Sequence, residues 1–128
     1  MAKKIAYRGR TMEEIKALPL DEFIKLAPSK ARRTLKRMGM QIRQFLEKFR
    51  EDKKNGKPTK THHRQMVVLP EMLDSHILVH KGNSYVDLLI TPQMLGHRLG
   101  EFAITTKLVK HSGPGIGATR GSKSVELK

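Results

Sequence analysis

The sequence predicts an α+β fold, with N-terminal helices packed against a small, mainly antiparallel three-stranded sheet and with flexible basic tails. Two patterns lead to this prediction. Around Gly82-Asn83, residues 77–90 form two apolar runs rich in β-branched side chains, and a Gly-first pair between such runs predicts a β-hairpin. Between residues 29 and 52, apolar side chains recur at three- and four-residue steps, which is the period of a helix.

The register of the hairpin follows from counting outward from its loop. Lys81 then pairs with Ser84, and the pairs behind it are His80 with Tyr85, Val79 with Val86, Leu78 with Asp87, and Ile77 with Leu88. Because side chains alternate along a strand, the Val and Ile rows share one apolar side. The opposite side, which carries the His80 and Asp87 rows, is a mixed surface suited to solvent or to a polar partner.

The N-terminal elements are short. Residues 1–10 are basic and aperiodic, so we expect a flexible arm. Thr11-Met12-Glu13-Glu14 matches a capping box and predicts a helix to about Leu18. Pro19 then resets the chain, and a second short helix is predicted from Asp21 to Leu26, because Pro28 ends it.

The main helical segment is predicted from Ser29 to about Asp52, with a break at Gly39. Its apolar stripe, which should face the sheet, is Leu35, Met38, Ile42, Phe45, Leu46 and Phe49. Its other faces are basic and carry Lys30, Arg32, Arg33, Lys36, Arg37, Arg43, Lys48 and Arg50. Such charges are usually solvated. Few acidic residues lie four positions from residues 32–37, which favours phosphate contact for this cluster.

Two further segments complete the predicted structure. Residues 59–69 alternate in polarity and predict a strand that joins the hairpin and stops at Pro70. Thr91-Pro92 places a capping hydroxyl before a first-turn proline, which predicts a helix of about two turns limited by two glycines. The expected division is an arm (1–10), a single α+β domain (11–110) and a Gly-rich basic tail (111–128).

Composition indicates a polyanionic partner. Lys and Arg total 26 against 12 Asp and Glu, so the net charge is +14. Residues 1–64 hold 19 basic and 7 acidic side chains, whereas residues 65–128 hold 7 and 5. Such a chain repels itself unless a polyanion neutralises it, which points to nucleic acid. Two tyrosines, four phenylalanines and no tryptophan are few for a reader of unstacked bases, which favours recognition of backbone and shape.

Other classes of protein are disfavoured. No apolar run approaches the roughly 20 residues of a spanning helix, and no leading signal segment is visible, so no membrane partner is expected. Cysteine is absent, which excludes disulfides and thiolate metal sites and leaves the cytosol as the default compartment.

No chemistry-bearing constellation is found. His62-His63 has no Cys or carboxylate at ligand spacing, and adjacent strand residues point to opposite faces. Residues 113–117 lack the Lys-Ser/Thr ending and the following helix of a phosphate-binding loop. His97 has no assignable nucleophile, and Glu101 is more simply a helix cap. We therefore expect no enzyme activity, no metal and no cofactor.

A set of residues across the second half resembles a known signature. Gly82-Asn83, Ile90, Leu95-Gly96-His97-Arg98-Leu99-Gly100-Glu101-Phe102 and Thr105 resemble, in order and spacing, the signature of the small-subunit ribosomal protein nineteen family. The resemblance extends to Tyr7-Arg8-Gly9, Arg32-Arg33, Thr61-His62, Arg64, residues 66–72 and residues 110–119, and it is to the archaeal and eukaryotic branch.

The resemblance implies N-terminal helices on a small sheet and rRNA binding in the head of the small subunit, in the cytoplasm. It also implies contact with small-subunit ribosomal protein thirteen and a C-terminal tail directed towards the decoding region, near A-site or P-site tRNA. One departure is Thr106, where many members have Arg. Lys107 follows and would replace that contact only as a point charge.

The leading interpretation is a non-enzymatic ribosomal constituent that neutralises and positions small-subunit rRNA. The alternative is an architectural DNA-binding protein, because net charge does not distinguish polyanions, although no apolar wedge for unstacking a duplex is evident. An RNA-processing enzyme is disfavoured by the lack of a catalytic constellation. The candidate RNA-binding residues are Arg32, Arg33, Lys36, Arg37, Lys54, Lys57, His62, Arg64, Lys81, Asn83, Ser84, His97, Arg98, Lys107, Lys110, His111 and Arg120.

Overall fold

The structure, a computed structural model, describes residues 5–110. In order they form β1 (Ala6–Tyr7), β2 (Arg10–Thr11), α1 (Met12–Ala17), α2 (Leu20–Leu26), α3 (Ser29–Arg37), α4 (Gly39–Lys54), β3 (Thr59–Thr61), β4 (His76–His80) and β5 (Tyr85–Leu89). Single 3₁₀ turns lie at Pro70–Met72, Pro92–Met94 and Leu99–Glu101. The predicted α+β class is confirmed.

The helices begin and end close to where the sequence places them. The Thr11 amide donates to the Glu14 carboxylate at 3.1 Å, and the Glu14 amide donates to the Thr11 hydroxyl at 3.4 Å, so the predicted capping box starts α1. The break between α3 and α4 falls at Met38, whose backbone has φ −99° and ψ 24°, one residue before the predicted glycine. The long basic segment is therefore two helices, the second of which ends at Lys54.

The hairpin has the predicted register. β4 and β5 pair antiparallel with His80 opposite Tyr85 and Ile77 opposite Leu88, and the Lys81 amide donates to the Ser84 carbonyl at 2.8 Å. Gly82 has φ +111°, the conformation for which a glycine is needed at the first loop position. The Ile77 face is buried against the helices, so the opposite face, with His80 and Tyr85, is turned away from the core.

The predicted third strand is shorter than expected. Only Thr59–Thr61 is a strand, and it runs parallel to β4, so the sheet order is β3-β4-β5. Residues 66–69 are instead a buried loop paired with residues 95–102, hereafter the signature loop. The Val68 amide donates to the His97 carbonyl at 2.8 Å, and the Leu99 amide donates to the Met66 carbonyl at 2.9 Å. These backbone bonds replace the ladder that the strand would have had.

Two other expectations are corrected. Residues 6–11, expected to lie in or beside a flexible arm, form the antiparallel β1–β2 ribbon, whose loop residues Arg8 and Gly9 both have positive φ (53° and 79°). The helix predicted after Thr91 is two separate 3₁₀ turns, since Gly96 at φ +77° interrupts the segment between them, and the Thr91 side chain makes no capping bond.

One hydrophobic core joins the helices, the sheet and the buried loop. Phe23 of α2 and Phe45 and Phe49 of α4 lie in it together with Ile77 and Val79 of β4. Among residues 5–110, no helix is both long enough and apolar enough to cross a bilayer. The division into arm, domain and tail stays a prediction, since residues 111–128 lie outside the described part.

Candidate nucleic-acid interface

The outer face of α3 carries a dense group of positive charges. Its nine residues include five basic and no acidic side chains. Ala31 and Leu35 are buried and fix which side faces inward. Arg33, Lys36 and Arg37 are exposed, and within residues 5–110 none of the three makes a hydrogen bond or an ion pair with another residue. Their donors are therefore available to an external acceptor.

Arg32, on the same helix, is already engaged. Its guanidinium donates to the carbonyls of Lys25 and Ala27 at 3.1 and 3.2 Å. These carbonyls lie at the C-terminal end of α2, where they have no partner within the helix. Arg32 thus ties α2 to α3 through one terminal nitrogen of its guanidinium, and its contact with phosphate stays a prediction.

The helix backbone strengthens the positive field. No acidic residue stands in the first turn of α3 to offset the positive end of the helix dipole, and Lys30 adds a charge there. Six residues border one shallow groove along this helix, hereafter the α3 groove: Ser29, Lys30, Arg32, Arg33, Lys36 and Arg37. A phosphate backbone lying in this groove would meet closely spaced donors without an acidic neighbour on the helix.

A second hollow adjoins the α3 groove, because Lys30 borders both. Its other lining includes Tyr7 and Arg8 from the β1–β2 ribbon, with His97 and Arg98 from the signature loop. Arg8 and Lys30 were absent from the predicted site residues. Their recruitment depends on the ribbon folding back onto α3, for which the sequence carries no local signal.

Within the signature loop, two predicted site residues have partners in the protein. His97 Nδ1 lies 2.8 Å from the Glu101 carboxylate, and the Arg98 amide donates to the same carboxylate at 3.4 Å. The Arg98 guanidinium donates to the Thr34 hydroxyl of α3 at 2.8 Å. Partial burial by itself raises the pKa of Glu101, but the His97 bond, the Arg98 amide and nearby positive charge outweigh it, so the pKa lies below its usual value.

Arg64 is a structural residue in this fold. Its guanidinium donates to the carbonyls of His80 at 2.6 Å and of Gly100 at 3.0 Å, and also to that of Ala103. The side chain therefore connects the hairpin to the signature loop. A guanidinium with three carbonyl partners has little capacity left for phosphate, and the contact of Arg64 with RNA stays a prediction.

The remaining predicted residues fall into separate groups. Lys54 and Lys57 lie at the far end of α4, about 24 Å along the 16-residue helix from its start near α3. His62, Lys81, Asn83 and Ser84 lie at the hairpin tip and beside it. Lys107 and Lys110 are exposed in the segment after the last turn. His111 and Arg120 lie outside the described residues.

The histidine pair His62-His63 directly follows β3. Within the described part of the chain, no group of three or more His, Asp or Glu side chains is arranged to hold an ion. His62 Nε2 instead lies 2.8 Å from the Tyr85 hydroxyl.

Fold and surface together define a small basic α+β protein whose exposed charge suits a phosphate backbone. Comparison with known proteins specifies the family. A family model described as ribosomal protein S19 matches residues 33–111. The chain therefore belongs to the ribosomal protein S19 family, and the resemblance seen in its signature residues is confirmed.

Two archaeal relatives match along nearly the whole chain. The small ribosomal subunit protein uS19 of Picrophilus torridus is 47% identical over 128 residues, which cover 99% of this chain and 83% of that protein. The small ribosomal subunit protein uS19 of Saccharolobus solfataricus is 45% identical over 130 residues, which cover 98% and 93%. Family membership makes this chain a ribosomal protein, part of the ribonucleoprotein that carries out translation in the cytoplasm.

Proposed function

We propose that this protein is a non-catalytic constituent of the small ribosomal subunit that binds small-subunit rRNA through the α3 groove. The observation that carries the proposal is the exposure of Arg33, Lys36 and Arg37 without a partner among residues 5–110. Both archaeal relatives are named as small-subunit proteins, which supports the assignment to that subunit. Neutralising adjacent phosphates is the task for which closely spaced free cations are suited.

The basic residues divide into two sets under this proposal. Arg32, Arg64 and Arg98 hold elements of the protein together through bonds to carbonyls or a hydroxyl. Arg33, Lys36 and Arg37, extended by Lys30 and Arg8 across the adjoining hollow, supply the charge that meets RNA.

A protein neighbour is supported by the segment after the last turn. Ile104, Leu108 and Val109 are exposed by 71%, 89% and 64% of their surface. Exposed apolar side chains close together in sequence are typical of a protein contact. The family resemblance suggests small-subunit ribosomal protein thirteen as that neighbour, in the head of the subunit, and a tail directed towards A-site or P-site tRNA.

The first test identifies the nucleic acid. Ultraviolet crosslinking in the native cells, a high-salt wash and sequencing of the attached nucleic acid should give reads confined to a few sites in small-subunit rRNA. Reads scattered over DNA would instead support the architectural DNA-binding alternative, and reads spread over many messengers would contradict both.

The second test locates the contact. Replacing Arg33, Lys36 and Arg37 together by Gln should lower the slope of log affinity against log salt by about two units, at roughly 0.7 to 0.9 per phosphate contact. The matched control replaces Lys25, Arg43 and Lys53, which are exposed on other faces, by Gln and removes the same charge. Equal slopes for the two triple variants would mean that net charge, and not the α3 groove, determines binding.

A further inference from the structure

Three rings meet on the face of the sheet that is turned away from the core. His62 and His80 lie with ring centroids 4.3 Å apart and planes 33° from parallel. Tyr85 stands edge-on to both, with centroids 5.5 Å from His62 and 5.1 Å from His80. We call this group the ring cluster. The count of Phe, Tyr and Trp in the sequence understated the ring surface here, because two of the three rings are histidines.

The ring cluster is held in place by the fold. Parallel pairing sets Thr61 of β3 beside Val79 of β4, so His62, which follows β3, arrives next to His80. The Tyr85 hydroxyl and His62 Nε2 are 2.8 Å apart and link the two side chains across the sheet. The Gly82 amide donates to His80 Nδ1 at 3.2 Å, so the lone pair of that nitrogen is used in holding the ring against the hairpin loop.

Stabilisation of the hairpin explains only part of this arrangement. His80 and Tyr85 are directly opposite each other, and such cross-strand pairs stabilise a hairpin on their own. His62 belongs to neither hairpin strand and is exposed, yet it is stacked on one side and hydrogen-bonded at its edge. Tyr85 is 39% exposed. Exposed rings that are already fixed lose little conformational entropy when a flat ligand stacks on them.

The surroundings suit a nucleotide. Lys60 Nζ lies 5.7 Å from the centre of the Tyr85 ring, and the hairpin tip presents the exposed polar side chains of Asn83 and Ser84. The acidic residue on the same face, Asp87, is paired with His76 at 3.1 Å. A cation, neutral hydrogen-bonding groups and ring faces thus occur together, whereas no aromatic ring borders the α3 groove.

From this geometry we propose that the ring cluster is a stacking site for one unpaired RNA base. The base stacks on the exposed face of the Tyr85 ring and meets His62, which stands nearly perpendicular to that ring, at its side. Lys60 neutralises an adjoining phosphate, and Asn83 and Ser84 bond the base edge or the ribose. This inference rests on the proposed function, since it takes RNA as the partner, and it adds a contact of a different kind from the phosphate contacts of α3.

The test separates bases from phosphates. The probes are a short single-stranded oligoadenylate and the same backbone in which central nucleotides are abasic, so that both carry equal charge. The full chain should bind the first about tenfold more tightly than the second, as stacking of a base on an aromatic side chain predicts. Tyr85→Leu and His62→Leu should each abolish most of that preference, whereas Tyr85→Phe, which keeps the ring, should retain it.

The salt dependence of binding distinguishes base stacking by Tyr85 from an indirect, structural effect of its replacement. Because stacking releases few counterions, Tyr85→Leu should weaken binding to oligoadenylate without changing the salt slope, whereas the α3 triple variant should change the slope. Equal affinity of the unmodified chain for the two probes, or a loss of preference in Tyr85→Phe as large as in Tyr85→Leu, would overturn the inference. Binding to neither probe would also overturn it, and the crosslinking to rRNA would then decide the proposed function independently.

Discussion

Arg64 and Gly100 are joined in both directions: the Gly100 amide donates to the Arg64 carbonyl at 2.9 Å, and the Arg64 guanidinium donates to the Gly100 carbonyl at 3.0 Å. The close approach of the two segments favours a glycine at residue 100. A Cβ on residue 100 would lie 3.0 Å from the Arg64 carbonyl oxygen and 3.1 Å from the Arg64 Cβ. A glycine of the family signature is thus accounted for by a close approach of two backbone segments.

Replacing Arg64 by Lys should destabilise the fold. An ammonium cannot reach the carbonyls of His80, Gly100 and Ala103 together, so partly buried acceptors lose their donors. We expect a loss of about 2 to 3 kcal/mol in the free energy of unfolding, measured by urea denaturation. Arg43→Lys, on the exposed face of α4, serves as the control. Unchanged stability together with a reduced salt slope for RNA would instead make Arg64 a phosphate contact.

Although Arg32 and Arg33 are neighbours in sequence, their substitutions should have different effects: the first should reduce stability and the second should reduce RNA binding. Arg32→Gln removes the donors to the Lys25 and Ala27 carbonyls, so we expect a loss of about 1 kcal/mol of unfolding free energy. Arg33→Gln should change stability by less than about 0.5 kcal/mol and should reduce RNA affinity. Thermal melting and RNA titration of both variants would test this, and equal melting temperatures would contradict the joining role of Arg32.

Tyr7→Phe should stabilise the protein. The Tyr7 hydroxyl is buried without a hydrogen-bond partner among residues 5–110, while its ring stacks on Phe23 with centroids 6.1 Å apart. Removing the hydroxyl keeps the stacking and ends the desolvation cost, so a gain of about 1 kcal/mol is expected. A loss of stability in urea titrations of the Phe variant would show that the hydroxyl has a partner.

The stability of the protein should also depend on alkaline pH through Tyr7. Burial raises the pKa of Tyr7 above its usual value near 10, against a smaller lowering by Arg8. Above that usual value the unfolded chain ionises first, so stability should fall as pH rises towards the folded pKa. The Tyr7→Phe variant should lack this part of the loss of stability at alkaline pH. The difference between the stability profiles of the two proteins against pH therefore measures the contribution of the Tyr7 hydroxyl.

The stability of the protein should depend on acidic pH through Glu101. Its pKa in the folded protein lies below the usual value near 4.5, so its ionised form stabilises the fold above that value. This stabilisation is lost as pH falls through the lowered folded pKa. Because the carboxylate is exposed to solvent, we expect Glu101→Gln to cost only about 0.5 kcal/mol at neutral pH. The deficit should vanish in strong acid, and a deficit independent of pH would contradict the prediction. Glu47→Gln is the control.

The local parts of the fold could be predicted from the sequence. The register of β4 and β5 follows from a two-residue loop, and the start of α1 follows from a capping box four residues long. In both, the interacting groups are close in sequence, so residue type and spacing contain the information.

The parts that depend on distant segments could not be predicted. The parallel pairing of β3 with β4 joins Thr59 to Ile77 across an intervening loop. The alternating polarity of residues 59–69 predicts one continuous strand. The backbone groups of residues 66–69 instead bond to the signature loop, some thirty residues later in the chain. Likewise, the basic candidates were chosen by residue type and spacing, but the bonds of Arg32, Arg64 and Arg98 to remote groups are a property of the folded chain.

The anchoring of Ala103 limits how far residues 104–110 can extend from the domain. Its carbonyl is fixed by Arg64, so the following residues leave the domain from a defined origin. A fully extended chain spans at most about 3.6 Å per residue, so the seven residues from Ile104 to Lys110 span no more than about 25 Å. The exposed apolar side chains of this segment therefore stay within that contour length of Ala103, which bounds the space in which any surface can cover them.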